Sequence, residues 1–486
     1  MERLYALSNT QDSLKKDLYV KSVGSVKDYF TYFNSFPLQQ WRRYTTIQEI
    51  TVRIEIRGNA NIIFYYAEKG SFRELYRQDA IGDGIFCKTF NADQLPGDII
   101  GFRVVLLDAD SSVVSGAYYG RFSYWHAQRI GVGICTYRRE DYVMRTLKVL
   151  NEFAQEHSWI RGLVVDNGRT LQPNHDTNFR IVPNRNFGGS GGFARAMIEY
   201  VSSDDVDYVL LMDDDIVIEP SVLERSYALL SGLKQEYRQC FLGGAMLSLE
   251  HPTIQYENTA YWDNIKLHAY GRNLDLSVRE NLVSNLEIEQ KERTYAAWWY
   301  CCMPLERIKQ NGYPLPLFIK GDDMEYGLRN KREILFMNGI GVWHEAFGKK
   351  DSLYTRYFTS RNMFILNHFS GGPRRIGQIL SILERLLQQG ILYGPRGIKA
   401  MYLSLRDYCK GLQELVKTGS DIQAKQVAEE LEQPLTIREC YAVMRYIVYS
   451  IVFFGRLDKS YKKFRCENLM NDRFWRNFMG IDEGIA

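Results

Sequence analysis

Asp207-Tyr208-Val209-Leu210-Leu211-Met212-Asp213-Asp214-Asp215-Ile216 runs a short apolar stretch, Val209 to Met212, into three consecutive carboxylates. A stretch this short, apolar on both faces, reads as an interior strand of a mostly parallel sheet. Ligands in such sheets gather outside the carboxyl ends of the strands, so the triplet stands where a ligand would. Three adjacent like charges repel and are costly to desolvate, and a hard cation with oxygen ligands relieves both costs. A solvated acidic turn ahead of the helix that Pro220 begins explains the triplet alone equally well. Its surroundings separate the two readings.

Upstream, Ile130 to Thr136 and Gly162 to Asp166 read as strands and Asp141 to His157 as the helix between them, the grammar of an α/β domain. The first strand ends Cys135-Thr136-Tyr137-Arg138-Arg139, which brings a guanidinium, suited to phosphate or a base edge, to the sheet's carboxyl edge. The second ends Asp166-Asn167-Gly168, either an acceptor for a pyrimidine or a common tight turn. Then Asn186-Phe187-Gly188-Gly189-Ser190-Gly191-Gly192 makes a glycine-rich entry to a helix, either backbone amides suited to phosphate or a closely approaching sugar, or a plain flexible loop ahead of the helix. It has neither the Gly-Lys-Ser/Thr ending of a phosphate loop nor a dinucleotide fingerprint, which argues against NTPase and dehydrogenase chemistry.

Downstream, Trp298-Trp299 offers aromatic faces for a sugar or for the core. Leu317 to Lys320 leads into Gly321-Asp322-Asp323-Met324-Glu325, two carboxylates at a helix start, where the dipole keeps at least one ionised. A carboxylate beside an acceptor hydroxyl is the expected general base for displacement at an anomeric carbon, and helix capping is the plain alternative. In Gly341-Val342-Trp343-His344-Glu345, a histidine after a short strand offers a third ligand to a cation held by Asp213 and Asp215, with a structural histidine as the plain alternative. Gly348-Lys349-Lys350 adds basic character for phosphate or a lipid-linked acceptor.

The flanks differ in grammar. Strand-like runs extend from Trp41 to Tyr124, with Ile50, Val52, Ile54 and Ile56 in period-two alternation and turn signals such as Gly82-Asp83-Gly84, and describe an antiparallel sandwich. After about residue 360 the apolar residues of Ile376 to Gln388, Gly397 to Val416 and Ile437 to Phe454 take helical spacing. At 486 residues the chain exceeds what one core usually supports, and the expected zones are 1–126 (β-sandwich), 127–360 (α/β) and 361–486 (helical). The 33 Tyr and 25 Phe suit sugar stacking, interfaces or plain core. A formal net charge of +3 asks for no nucleic acid.

Eight scattered cysteines without CxxC spacing read as reduced thiols in a cytosolic setting, and Met1-Glu2-Arg3-Leu4 lacks a secretory pattern. The longest apolar stretch, Tyr441 to Phe454, is interrupted by Arg445 and too short to span a bilayer comfortably. Arg456 to Arg476, rich in Lys and Arg, suits an anionic membrane surface or an ordinary solvated helix face. The expected location is therefore cytoplasmic, with peripheral contact at the inner face of the membrane.

Taken together, the motifs from Cys135 to Phe347 resemble the inverting nucleotide-sugar glycosyltransferases of family 2, whose Rossmann-like α/β fold is termed GT-A. Among these, the sequence is most similar to bacterial galactofuranosyltransferases that polymerise galactofuranose from its UDP donor. Their order of β-sandwich, GT-A domain and helical C-terminal part resembles the three zones. The resemblance implies that Asp213 and Asp215 hold Mn2+ or Mg2+ with His344 as third ligand. It implies a donor site of Thr136, Arg138, Asp166, Asn186, Gly188, Gly189 and Asp214, with Asp166 and Arg138 at the uridine end. It makes Asp323 the catalytic base with Asp322 beside it, and Trp298, Trp299, Asp322 and Glu325 the acceptor contacts. The implied partners are a UDP-sugar, a glycan or lipid-linked glycan acceptor that grows into a cell-surface polymer, and further copies of the chain. Rhamnose from dTDP-rhamnose is the alternative donor sugar, and a non-catalytic glycan-binding protein is the reading from another class.

Overall fold

The computed structural model describes residues 1–68, 70–172, 178–263, 265–345, 351–369, 375–417 and 419–481. In the N-terminal zone the alternating Ile50, Val52, Ile54 and Ile56 sit in the strand Ile47–Arg57 with their side chains buried. That strand pairs antiparallel with Gly84–Asn91 and Ser112–Phe122 in a four-stranded sheet, and a five-stranded antiparallel sheet faces it. Rings interlock between the two: Phe64 lies 6.3 Å from Phe86 and Phe102 lies 6.4 Å from Tyr118, centroid to centroid. Tyr5, Tyr32, Trp41 and Tyr118 are fully buried, so aromatic surplus here builds the core of the sandwich. Trp41, expected to open the strand region, lies in a helix, Leu38–Tyr44. Leu38, Trp41 and Tyr44 recur every third residue, which is the spacing of one helix face.

The central sheet has seven strands in the order Phe179–Pro183, Ile160–Asp166, Ile130–Thr136, Tyr208–Asp213, Cys301–Pro304, Phe241–Gly243, Ile334–Leu335. The first four are parallel, with helices Glu140–Glu156 and Gly188–Ser203 in the crossovers, a Rossmann-like α/β arrangement. The chain leaves Ile130–Thr136 toward one edge and returns as Tyr208–Asp213 on its other side. The topological switch point therefore lies between these two strands, and a crevice opens at their carboxyl ends. Beside it stands a smaller sheet, Leu274–Asp275, Ile254–Glu257, Ala245–Ser248 and Gly341–His344.

Helix Leu353–Leu366 begins the C-terminal region, so the zone boundary expected at residue 360 falls inside a helix. The Ser352 hydroxyl caps that helix, accepting from Thr355 N at 3.2 Å. The two apolar stretches expected at 376–388 and 397–416 are arms of Arg375–Lys410, broken at Gly394 (φ 56°) ahead of Pro395, followed by Leu412–Lys417. Helices Ser420–Glu432, Ile437–Val452, Phe454–Asn468 and Arg473–Met479 complete the bundle. One hydrophobic core runs from Leu4 to Met479 through all three zones. Among the described residues no single helix is long and apolar enough to cross a membrane; Ile437–Val452 and Phe454–Asn468 reach that length and composition only as a pair bent by 76°.

Candidate active site

The Tyr208–Asp213 strand is buried until its last residue, so its apolar side chains fix the backbone and the carboxylates emerge at the crevice. Val217 and Trp343 exchange backbone hydrogen bonds, Val217 N to Trp343 O at 2.8 Å and Trp343 N to Val217 O at 3.0 Å. This bridge ties the acidic loop to the Gly341–His344 strand. As a result His344 Nε2 lies 3.1 Å from Asp215 Oδ1 and 3.6 Å from Asp213 Oδ2. One ligand atom from each of the three residues falls within 4.8 Å of the others. His344 Nδ1 is 2.6 Å from the Glu345 carbonyl, which can only accept, so this nitrogen carries the proton. The neutral ring then turns the Nε2 lone pair toward the carboxylates. Two carboxylate oxygens and an imidazole nitrogen with a fixed tautomer fit a divalent cation such as Mn2+ or Mg2+.

On the donor side two neighbouring arginines take different places. Arg138 has φ 55° and is exposed beside Gly168, its guanidinium 5.3 Å from the Tyr137 ring centre, and it is not among the residues lining the cleft. Its neighbour Arg139 lines the cleft, with Nη1 3.2 Å from Asp214 Oδ1 and 2.7 Å from Asp215 Oδ2. Asp214 also accepts from Thr136 Oγ1 at 2.7 Å across the switch point. Burial pushes the Asp214 carboxyl up to about 6, against the opposing pull of Arg139. Asp166, expected at the uridine end, is buried and accepts from Gly168 N, Thr170 N and Leu171 N at 2.9, 2.7 and 2.8 Å. These bonds shape its own turn, and the residue is absent from the cleft wall.

The glycine-rich entry is locked by amides. Asn186 Oδ1 accepts from Gly188 N at 3.1 Å, and Asn167 Nδ2 donates to Gly188 O at 2.9 Å. Gly188 has φ +69°, and a Cβ there would stand 2.1 Å from the Phe318 carbonyl oxygen. Only glycine permits that approach, which draws the segment before Asp322 against the donor side. Gly189 opens directly on the cleft.

Asp322 and Asp323, also in the cleft wall, begin the helix Asp322–Asn330. Burial pushes both carboxyls above the usual range. The neighbouring Asp323 charge adds to the shift of Asp322, while the Met324 N–H and Lys320 partly hold Asp323 down. Trp298 and Trp299 line the cleft but are 3% and 4% exposed, so they wall the site and are not open stacking platforms. Trp299 Nε1 donates to Gly244 O at 2.8 Å, and Trp298 packs edge-on against Phe193. Glu325, expected at the acceptor, lies outside the cleft wall, because its buried carboxylate pairs with Arg329 at 2.9 Å and faces Arg465 at 3.9 Å.

The sequence pointed to neither Glu257 nor Arg272, both of which line the cleft. Burial pushes Glu257 up to about 7, with Arg272 opposing and Asp323 adding to the shift. Asp213, Asp215, His344, Asp322 and Asp323 thus share one cleft of about 690 Å³. A larger groove of about 1440 Å³, lined by charges of both signs such as Arg43, Lys291, Arg332, Glu333 and Asp458, lies apart from it. The basic Gly348-Lys349-Lys350 lies outside the described residues.

Residues 6–92 match the family model described as Galactofuranosyltransferase 2 N-terminal, and residues 131–275 match the model Glycosyl transferase family 2. The chain carries a family 2 glycosyltransferase domain. It is 27% identical over 420 residues to Galactofuranosyltransferase GlfT2 of Mycolicibacterium smegmatis, covering 80% of this chain and 64% of that one. It is 27% identical over 416 residues to Galactofuranosyltransferase GlfT2 of Mycobacterium tuberculosis, covering 74% and 61%. The chain thus spans less than two thirds of the length of these relatives.

Similar solved structures include S. aureus TarS 1-349 in complex with UDP, 13% identical over 68% of this chain and 91% of that one, with a TM-score of 0.38. Mannosyltransferase PcManGT from Pyrobaculum calidifontis, in complex with GDP-Man and Mn2+, is 11% identical over 68% and 87%, with a TM-score of 0.32. Within the chain, the matched glycosyltransferase range takes in Thr136, Gly188, the acidic triplet and Glu257. Asp322, Asp323 and His344 follow it in sequence and reach the cleft on the helix Asp322–Asn330 and the strand Gly341–His344.

Proposed function

We propose that this chain transfers galactofuranose from UDP-galactofuranose, with inversion and in a metal-dependent manner, to a hydroxyl of a growing cell-surface glycan. The observation that carries the reading is that the Asp213, Asp215 and His344 ligand set and the Asp322–Asp323 pair open into one cleft. Asp213, Asp215 and His344 would hold a divalent cation, which supplies neutralisation of the charge that develops on a departing nucleoside diphosphate. Arg139 and Lys320, both in the cleft wall, add positive charge on the same side of the balance. Asp323 takes the proton from the acceptor hydroxyl as that oxygen bonds to the anomeric carbon and the carbon–phosphate oxygen bond breaks. A single base suffices for this one-step inversion, unlike the acid and base pair of glycosidases. Asp322, one residue earlier on the same helix start, is placed to orient the acceptor, with Trp298 and Trp299 closing the wall behind it.

A screen of UDP and dTDP sugars with Mn2+ and a galactose-terminated, lipid-like acceptor, read by mass spectrometry, tests the proposal. The expected product carries galactofuranose from its UDP donor. Turnover confined to dTDP-rhamnose would transfer the reading to a rhamnosyltransferase. Absence of both turnover and metal-dependent UDP binding would leave a non-catalytic glycan-binding protein.

A further inference from the structure

The segment 317–321, which delivers Asp322 and Asp323 to the cleft, has a costly backbone. Phe318 (φ 71°), Lys320 (φ 68°) and Gly321 (φ 84°) all take the left-handed region, and two of the three carry a Cβ. Residues other than glycine seldom adopt that region, and they persist in it only where their surroundings hold them. The segment belongs to no strand or helix, so its backbone groups depend on partners from elsewhere in the chain.

Helix Leu353–Leu366 supplies them. Asn362, fully buried, donates through Nδ2 to Ile319 O at 2.8 Å and Lys320 O at 2.7 Å, and reaches Leu317 O at 3.3 Å. Arg361, also buried, donates from Nη2 to Leu317 O at 2.7 Å and from Nε to Asn362 Oδ1 at 2.9 Å. A guanidinium only donates, so this last bond turns the Asn362 NH2 group toward the carbonyls. The Phe318 ring rests 5.3 Å from Phe358 of the same helix, and the Phe318 carbonyl accepts from Ser190 N at 3.1 Å on the donor side. Ile319, Lys320 and Gly321 line the cleft; Asn362 does not, and grips the wall from behind. We propose that Asn362, oriented by Arg361, is a positioning residue: its amide holds the left-handed turn and thereby sets where the Asp323 carboxylate stands relative to the donor site. The inference rests on the reading of Asp323 as the base. A reacting group misplaced by about 1 Å loses rate by about 10²-fold.

Two variants of the full chain test this: Asn362→Ala, and Asn362→Asp, which keeps the volume and the oxygen facing Arg361 but replaces the NH2 group. With UDP-galactofuranose, Mn2+ and acceptor, kcat should fall by about 10- to 100-fold in both. Calorimetric UDP affinity with Mn2+ should stay within about threefold, because other elements carry Asp213, Asp215, His344 and Arg139. Amide hydrogen exchange should quicken across 317–325 and keep its wild-type rate in the strand Tyr208–Asp213. Ser360→Ala is the control on the same helix, since Ser360 is equally buried but accepts from Gln389 Nε2 at 2.6 Å, away from the turn. It should lower the melting temperature and leave kcat unchanged. Wild-type kcat in the Asn362 variants overturns the proposal, as does a kcat loss matched by lost UDP affinity or reproduced by Ser360→Ala. A wild-type chain inactive with every donor overturns the base reading and this inference with it, whereas an active wild type with unaffected variants overturns this inference alone.

Discussion

Asp323 and Asp215 line the same cleft on different elements, and their substitutions should separate chemistry from binding. Asp323→Asn keeps the shape and the hydrogen bond from Met324 N but removes the base, so turnover should fall by about 10²–10⁴-fold while UDP affinity holds. Steady-state kinetics beside calorimetry checks this, and activity within a few-fold of wild type would remove Asp323 from the base role. Because burial raises the Asp323 carboxyl, protonation begins nearer neutrality than for an ordinary aspartate. Only the ionised form accepts a proton, so kcat/KM should fall on acidification from neutral pH. A profile that stays flat down to about pH 5 would contradict the assignment.

These residues were legible in the sequence because each sits at the end of a locally recognisable strand or at a helix start. Arg139 was not. Arg138 takes a left-handed backbone and Arg139 lines the cleft, and nothing in Tyr137-Arg138-Arg139-Glu140 announces such a conformation. Glu325 misled for a similar reason: it lies roughly 200° round the helix from Asp323, where Arg329 one turn later meets it.

At the scale of elements, the site depends on pieces that never touch a substrate. The Val217–Trp343 bridge holds the acidic loop to the strand carrying His344, and the Trp343 indole is anchored by Pro252 O at 3.0 Å and by Phe33 at 5.5 Å. Trp343→Ala should cost about 3–5 kcal/mol of stability. It should also weaken Mn2+ affinity, since His344 loses its support; unchanged metal titration would show that the strand holds its place without the indole. Gly188→Ala meets both a positive φ and the Phe318 backbone oxygen, and should destabilise the fold by about 1–3 kcal/mol in urea unfolding. The glycine-rich entry was visible as a motif. Its partner Phe318, whose carbonyl accepts from Ser190 N at 3.1 Å, and Glu257 on a separate small sheet, were not, because contacts distant in sequence bring them in.

For the whole molecule, the three zones read from changes in sequence grammar share one continuous core, which composition alone does not reveal. Arg225 ties two of them together. It is fully buried, donates to Phe33 O at 2.6 Å and Gly339 O at 2.5 Å, and lies 3.7 Å from the Tyr5 ring centre. Arg225→Ala should therefore cost about 3 kcal/mol or more and shift a single cooperative transition, without splitting it into separate zone unfoldings.

The most direct test of the cation and leaving-group arrangement is calorimetric titration of UDP into the chain with Mn2+ and with chelator. Binding is expected only with Mn2+, weakened at least about tenfold in Asp215→Ala and unchanged in Asp323→Asn. Equal UDP affinity with and without the metal would contradict the assignment of Asp213, Asp215 and His344.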